Sequence, residues 1–144
     1  MDNDGRIRTM IVENHFVVRL GLAAIINSQS DIVNLAETGN GRQAVELFEL
    51  HQPDVTLMDL RLPGLGGIEA ITSILQKFSH ARIFVLSSFG GTENLFRAFQ
   101  AGARSYFLKD VKGLELVEAI RAVHAGQRPL PKEILSCLAE RIPP

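Results

Sequence analysis

Residues 54–67 read Asp54-Val55-Thr56-Leu57-Met58-Asp59-Leu60-Arg61-Leu62-Pro63-Gly64-Leu65-Gly66-Gly67. Val55, Leu57 and Met58 make a short apolar run of the kind a strand buried on both faces shows. The run stops on a carboxylate, Asp59. Leu62-Pro63-Gly64 and the two glycines that follow then forbid both strand and helix, so the chain must turn. An acid at the C-terminal lip of a buried strand stands where open α/β sheets carry their chemistry. A lone aspartate in such a place more often serves as a turn or cap residue. Its meaning therefore depends on what the rest of the chain brings to the same edge.

Upstream, Ile7 to Val12 reads as a first strand that stops at the polar pair Glu13-Asn14. Asn14 is suited to cap the helix that follows, Phe16 to Asn27, whose Val17, Leu20, Ala24 and Ile25 fall on one face. Asp31 to Glu37 alternates as a second strand does. Asn40-Gly41-Arg42-Gln43 has the form of a capping box opening a second helix, with Ala44, Leu47 and Phe48 inward. Downstream of Asp59, Ile68 to Phe78 predicts a third helix and Arg82 to Leu86 a fourth strand ending on Ser87-Ser88. Thr92 caps a helix running through Gln100, and Gly102 stops it. Arg104 to Leu108 is a fifth strand ending on Lys109. A fifth helix, Gly113 to Ala125, carries the stripe Leu116, Ile120 and Val123.

Five strand–helix pairs of this length predict a doubly wound, five-stranded parallel sheet with helices on both faces. Gln127 to Pro131 reads as a linker, and Lys132 to Arg141 as a short helix outside the main domain. The expected organisation is thus one domain over residues 6–126, followed by a linker and helix over 127–144.

Composition sets the outer bounds. In 144 residues, 46% hydrophobic and 22% charged with a net charge of -1, the balance is that of an ordinary globular domain without a nucleic-acid footprint. Cys137 is the single cysteine, which excludes an internal disulfide and a cysteine-rich metal site and suits a reducing, cytoplasmic setting. No run approaches the roughly 18–20 apolar residues of a membrane span, and no membrane association is expected.

In a parallel sheet every strand delivers its C-terminal residue to one edge. With strand order 2-1-3-4-5, strands one, three, four and five bring Glu13, Asn14, Asp59, Ser87 and Lys109 to a shared crevice at the switch point. A nucleophilic carboxylate, a hydroxyl, an ammonium and two further oxygen ligands suit phosphoryl transfer, in which a carboxylate can accept the group as an acyl phosphate.

On these residues, together with Pro63 and Gly67 after Asp59 and the run Tyr106-Phe107-Leu108-Lys109, the chain resembles the receiver domain of two-component response regulators, a flavodoxin-like fold. The resemblance covers about Arg6 to Gly126. Val12-Glu13-Asn14-His15, Ala101-Gly102-Ala103-Arg104 and Lys109-Asp110 further resemble receivers that precede a LuxR-type helix-turn-helix. The resemblance implies that Asp59 takes a phosphoryl group from a partner sensor histidine kinase. It implies Mg²⁺ held by Glu13, Asn14, Asp59 and the backbone carbonyl of Arg61, with Lys109 and Ser87 on the phosphoryl oxygens. Tyr106 would swing inward with Ser87 as a switch, altering the face of the fourth helix, fifth strand and fifth helix. A homodimer through that face or through the first and last helices, and DNA contact only through an output domain not in this chain, belong to the same expectation. Such a protein is a phosphoacceptor and not an enzyme in the usual sense.

One position departs from the family. Glu13-Asn14 stands where two acids are usual, which removes a unit charge beside a divalent ion. Mg²⁺ binding is expected to weaken by roughly ten- to a hundredfold, about 1.4–2.8 kcal/mol. The same departure supports a rival reading, a receiver-like interaction module that no longer uses phosphate. Two enzyme readings are weaker. Gly39-Asn40-Gly41-Arg42-Gln43-Ala44 fits a dinucleotide fingerprint but follows the second strand and leaves too little chain for a substrate domain. An aspartyl phosphatase usually has a second acid where Arg61 stands. His15 reads as a solvent-facing residue at the start of the helix, not as a metal ligand.

Overall fold

The computed structural model describes residues 5–88 and 92–141. Eleven elements follow in order: β1 (Ile7–Val12), α1 (Phe16–Asn27), β2 (Ile32–Thr38), α2 (Gly41–His51), β3 (Val55–Met58), α3 (Gly67–Lys77), β4 (Ile83–Ser87), α4 (Thr92–Ala101), β5 (Ser105–Leu108), α5 (Gly113–His124) and α6 (Lys132–Arg141). The strands form one sheet in the order β2-β1-β3-β4-β5, every pair parallel. This is the doubly wound architecture the alternation predicts, with element ends shifted by about one residue.

The side-chain alternation of each strand splits the core in two. Met10, Val12, Met58, Ile83, Val85 and Tyr106 pack on the side of α2, α3 and α4. Ile11, Leu57, Phe84, Leu86 and Phe107 pack on the side of α1 and α5. Because both faces are covered, β3 and β4 are buried along their whole length, which is why they read as continuous apolar runs.

Three local expectations are corrected. Val17 and Leu20 are 76% and 57% exposed, and α1 instead buries Ala23 and Ile26. Ile25 packs only partly against the core, and Ala24 faces solvent. This helix is apolar around most of its circumference, so periodicity alone could not choose the buried side. Its N-cap is His15, in extended conformation, and not Asn14. The third correction concerns α6, which is not outside the core: Ile134 is 2% exposed and, with Leu130, joins the cluster that contains Tyr106 and Leu95. The Ser105 hydroxyl also donates to the Pro129 carbonyl, tying the linker to the edge strand.

At α2 the capping reading holds in part. Asn40 accepts from the Gln43 N–H at 2.9 Å. The return contact differs, since the Asn40 N–H and the Gln43 side chain both meet the Thr38 hydroxyl. Gly41 is explained here without a nucleotide. A Cβ on it would lie 1.9 Å from the Leu65 carbonyl oxygen, so the glycine lets α2 rest on the loop after β3. The Phe89-Gly90-Gly91 turn and the Thr92 cap lie outside the described residues.

Candidate functional site

Three strand tips meet at the C-terminal edge, and the ladder itself fixes them. The Glu13 N–H donates to Thr38 O (2.9 Å), the Asp59 N–H to Val12 O (2.8 Å) and the Lys109 N–H to Ser87 O (2.9 Å). Each functional residue is therefore pinned by the neighbouring strand one step past the end of its own. Gly67 lets α3 begin hard against this edge, for a Cβ there would come within 2.4 Å of Asp59 O and 2.6 Å of Leu60 Cα.

Lys109 Nζ bridges the two acids. It lies 2.8 Å from Glu13 Oε1, 3.0 Å from Glu13 Oε2 and 3.2 Å from Asp59 Oδ2. Glu13 is 1% exposed, Asp59 3% and the Lys109 side chain 12%. Charges this dry persist only because the one ammonium pairs with both carboxylates. Asp59 Oδ1 accepts the Arg61 N–H at 3.3 Å, while Asp59 Oδ2 is held by the ion pair with Lys109.

Burial raises the pKa of both acids, yet they end on opposite sides of their ordinary values. Burial pushes Glu13 up, but hydrogen bonds from Lys109 and the His15 N–H outweigh it and hold the carboxyl below its usual range. Burial also pushes Asp59 up, the Glu13 charge adds to this, and Lys109 opposes without cancelling it. The site therefore pairs a firmly ionised Glu13 with a more basic, more nucleophilic Asp59.

The sequence-derived residues are placed as follows. Glu13, Asp59 and Lys109 are in direct contact. Ser87 closes β4, is buried, and passes its carbonyl to Lys109. Asn14 and Arg61 are exposed. Tyr106 is wholly buried, with its ring 6.4 Å from that of Phe99.

Two residues at this edge were not anticipated. The His15 N–H donates to Glu13 Oε2 at 2.9 Å, and its Nδ1 lies 3.1 Å from the same oxygen. Arg19, one turn into α1, donates to the Glu13 carbonyl at 2.7 Å and stands over the Phe16 ring. An i, i+2 and i, i+6 relation across a strand–helix turn was the only signal for them, and it is a weak one.

A family model described as the response regulator receiver domain matches residues 9–121. The chain belongs to the response regulator receiver family. It is 38% identical over 136 residues to the transcriptional regulatory protein LiaR of Bacillus subtilis, covering 94% of this chain and 64% of LiaR. It is 32% identical over 139 residues to the nitrate/nitrite response regulator NarL of Escherichia coli, covering 96% of this chain and 64% of NarL. The receiver thus spans just under two thirds of these relatives. A solved two-component response regulator of the LuxR family from Aurantimonas sp. SI85-9A1 superposes with a TM-score of 0.89 at 37% identity, covering 94% of this chain and 96% of that one. Receivers of this family bind Mg²⁺ at an acidic site, and Glu13 with Asp59 forms an acidic cluster here. Among the described residues no helix is long and apolar enough to cross a membrane.

Proposed function

We propose that this receiver accepts a phosphoryl group on Asp59 from the phosphohistidine of a partner sensor kinase. An Asp59 carboxylate oxygen attacks phosphorus, the P–N bond breaks, the imidazole leaves and takes up a proton, and an acyl phosphate forms. The observation that carries the reading is the single ammonium held between a firmly ionised Glu13 and a buried, more basic Asp59.

Lys109 keeps the nucleophile ionised and afterwards pairs with the phosphoryl oxygens. Ser87, next along the same edge, donates its hydroxyl to another of them. Mg²⁺ fits this donor set, because Asp59 Oδ2 is a buried carboxylate oxygen beside which a cation, the Lys109 ammonium, already finds a stable place. Glu13, Asn14, Asp59 and the Arg61 carbonyl would hold the ion, which supplies charge neutralisation for the transferring group. Tyr106, a buried residue, would serve as the switch, with α4, β5 and α5 as the responding face.

The receiver unit would be residues 6–126 with the linker and α6 docked on it, the segment 127–144 leading toward an output domain of the LuxR type that meets DNA and regulates transcription in the cytoplasm. A homodimer through a receiver face accompanies activation. Incubation with acetyl phosphate and Mg²⁺, read by intact mass, tests the central step. One added phosphoryl group that is lost in Asp59→Asn supports it. An unchanged mass in the unsubstituted protein refutes it and leaves a phosphate-independent interaction module.

A further inference from the structure

Resting on the reading just given, we infer that Arg19 is a positioning residue for phosphoryl uptake, acting through the peptide bond between Glu13 and Asn14. Its Nη1 donates to the Glu13 carbonyl at 2.7 Å. That oxygen lies in the same plane as the Asn14 nitrogen, so holding it orients the backbone of both residues.

The sheet explains why a side chain is needed there. The Glu13 N–H takes Thr38 O at 2.9 Å, and an evenly spaced parallel ladder would next bring the Asn40 N–H to Glu13 O. The Asn40 N–H turns instead to the Thr38 hydroxyl at 3.1 Å, because Asn40 is leaving the sheet as the N-cap of α2. Glu13 O loses its ladder donor, and Arg19 supplies one from the first turn of α1.

A second observation shows that the place is shaped for the guanidinium. A Cβ on Gly39 would lie 2.8 Å from Arg19 Nη1, 3.3 Å from Glu13 O and 3.4 Å from Asn14 Cα. The glycine leaves room for the bond, which accounts for Gly39 without a nucleotide. Glu37 Oε1 at 3.7 Å from Nε and the Phe16 ring at 5.7 Å from Cζ hold the group from further sides. A long side chain restrained in this way acts as a strut.

What depends on the strut is the acid beyond it. The Glu13 carboxylate meets Lys109 Nζ at 2.8 Å, and Nζ meets Asp59 at 3.2 Å. A Glu13 peptide free to rock would shift the acid that holds the ammonium beside the nucleophile, and would turn the Asn14 amide with it. Phosphoryl transfer is mostly positioning, so the shift is read as rate.

The variants are Arg19→Met, Arg19→Lys and Gly39→Ala, the last keeping the cation but crowding it off Glu13 O. Uptake from acetyl phosphate at saturating Mg²⁺ is timed by intact mass, Mg²⁺ affinity is measured by calorimetry and stability by urea unfolding. We expect Arg19→Met and Gly39→Ala to slow uptake about tenfold and weaken Mg²⁺ about three- to tenfold while staying folded. Arg19→Lys, which retains a donor, should bring uptake back to within about threefold of the unsubstituted protein. Added to Arg19→Met, Gly39→Ala should slow uptake by less than about twofold more, since its target is already gone. Arg121→Met breaks the pair with Asp31 at the far end of β2 and should lower stability without changing uptake. Unchanged uptake in Arg19→Met and Gly39→Ala, or full additivity of the two, overturns the inference and leaves the acceptor role intact. No uptake by the unsubstituted protein removes the acceptor role and the inference with it.

Discussion

Replacing Lys109 by Met removes the cation between two buried acids while keeping most of the side-chain volume. At 2.8 and 3.2 Å, and with an effective dielectric near 20, each lost attraction is worth about 5–6 kcal/mol. The two carboxylates, whose nearest ligand oxygens lie within 4.8 Å, then repel by about 3 kcal/mol. Against this stands the cost of keeping a lysine 12% exposed, which the variant no longer bears. Broken buried pairs measured as a class lose about 3–5 kcal/mol. We therefore expect about 3–4 kcal/mol lost near pH 8, a fall of roughly 10 °C in Tm.

The pH dependence has a definite sign. The Asp59 pKa is already raised, first by burial and then by Glu13, and Lys109 is what opposes the rise. Without Lys109 it climbs further, and as pH falls Asp59 takes a proton and the like-charge pair disappears. Glu13 behaves oppositely in the unsubstituted protein. Its pKa is depressed, so its stabilising contribution is present above the ordinary glutamate pKa and lost as pH falls through the lowered value. Toward about pH 5 only the Asp59 effect shrinks the cost of Lys109→Met, because that pH still lies above the ordinary glutamate pKa and the Glu13 contribution is intact there. Urea unfolding at the two pH values is the assay. A loss below about 0.5 kcal/mol near pH 8, or one equally large near pH 5, would refute the electrostatic account.

Asn14→Asp should tighten Mg²⁺ binding by roughly ten- to a hundredfold in a calorimetric titration, and equal affinities would show that the missing charge is immaterial. Gly67→Ala should cost about 3 kcal/mol in urea unfolding, because its Cβ would meet backbone atoms of Asp59 and Leu60 that cannot rotate aside. Ile134→Asp should undock α6 for a loss of about 2 kcal/mol, seen as rapid hydrogen exchange over residues 132–141 while the sheet keeps its protection.

The strand order, the two-faced core and the meeting of Glu13, Asp59 and Lys109 were legible in the chain itself. Short apolar runs that end on charged residues and alternate with helical stripes leave a parallel sheet few other arrangements, and such a sheet gathers its strand ends at one edge. What the pattern could not supply was direction around a helix and the second partner of each polar group. In α1, apolar residues occupy nearly every position, so only packing against β1, β2 and α5 decides that Ala23 and Ile26 go inward and Val17 and Leu20 outward. Ile134 looked like part of a separate segment because its burial depends on a core cluster built from residues far earlier in the chain. His15 and Glu13 are near neighbours in sequence, yet their contact exists only because the carboxylate is turned under the helix start by the β1–β2 ladder and by Lys109, 96 residues further on. Residue types and periodicity therefore determined which groups reach the edge. Tertiary structure alone decided which of them touch, and hence which acid is held below its usual pKa and which is pushed above it.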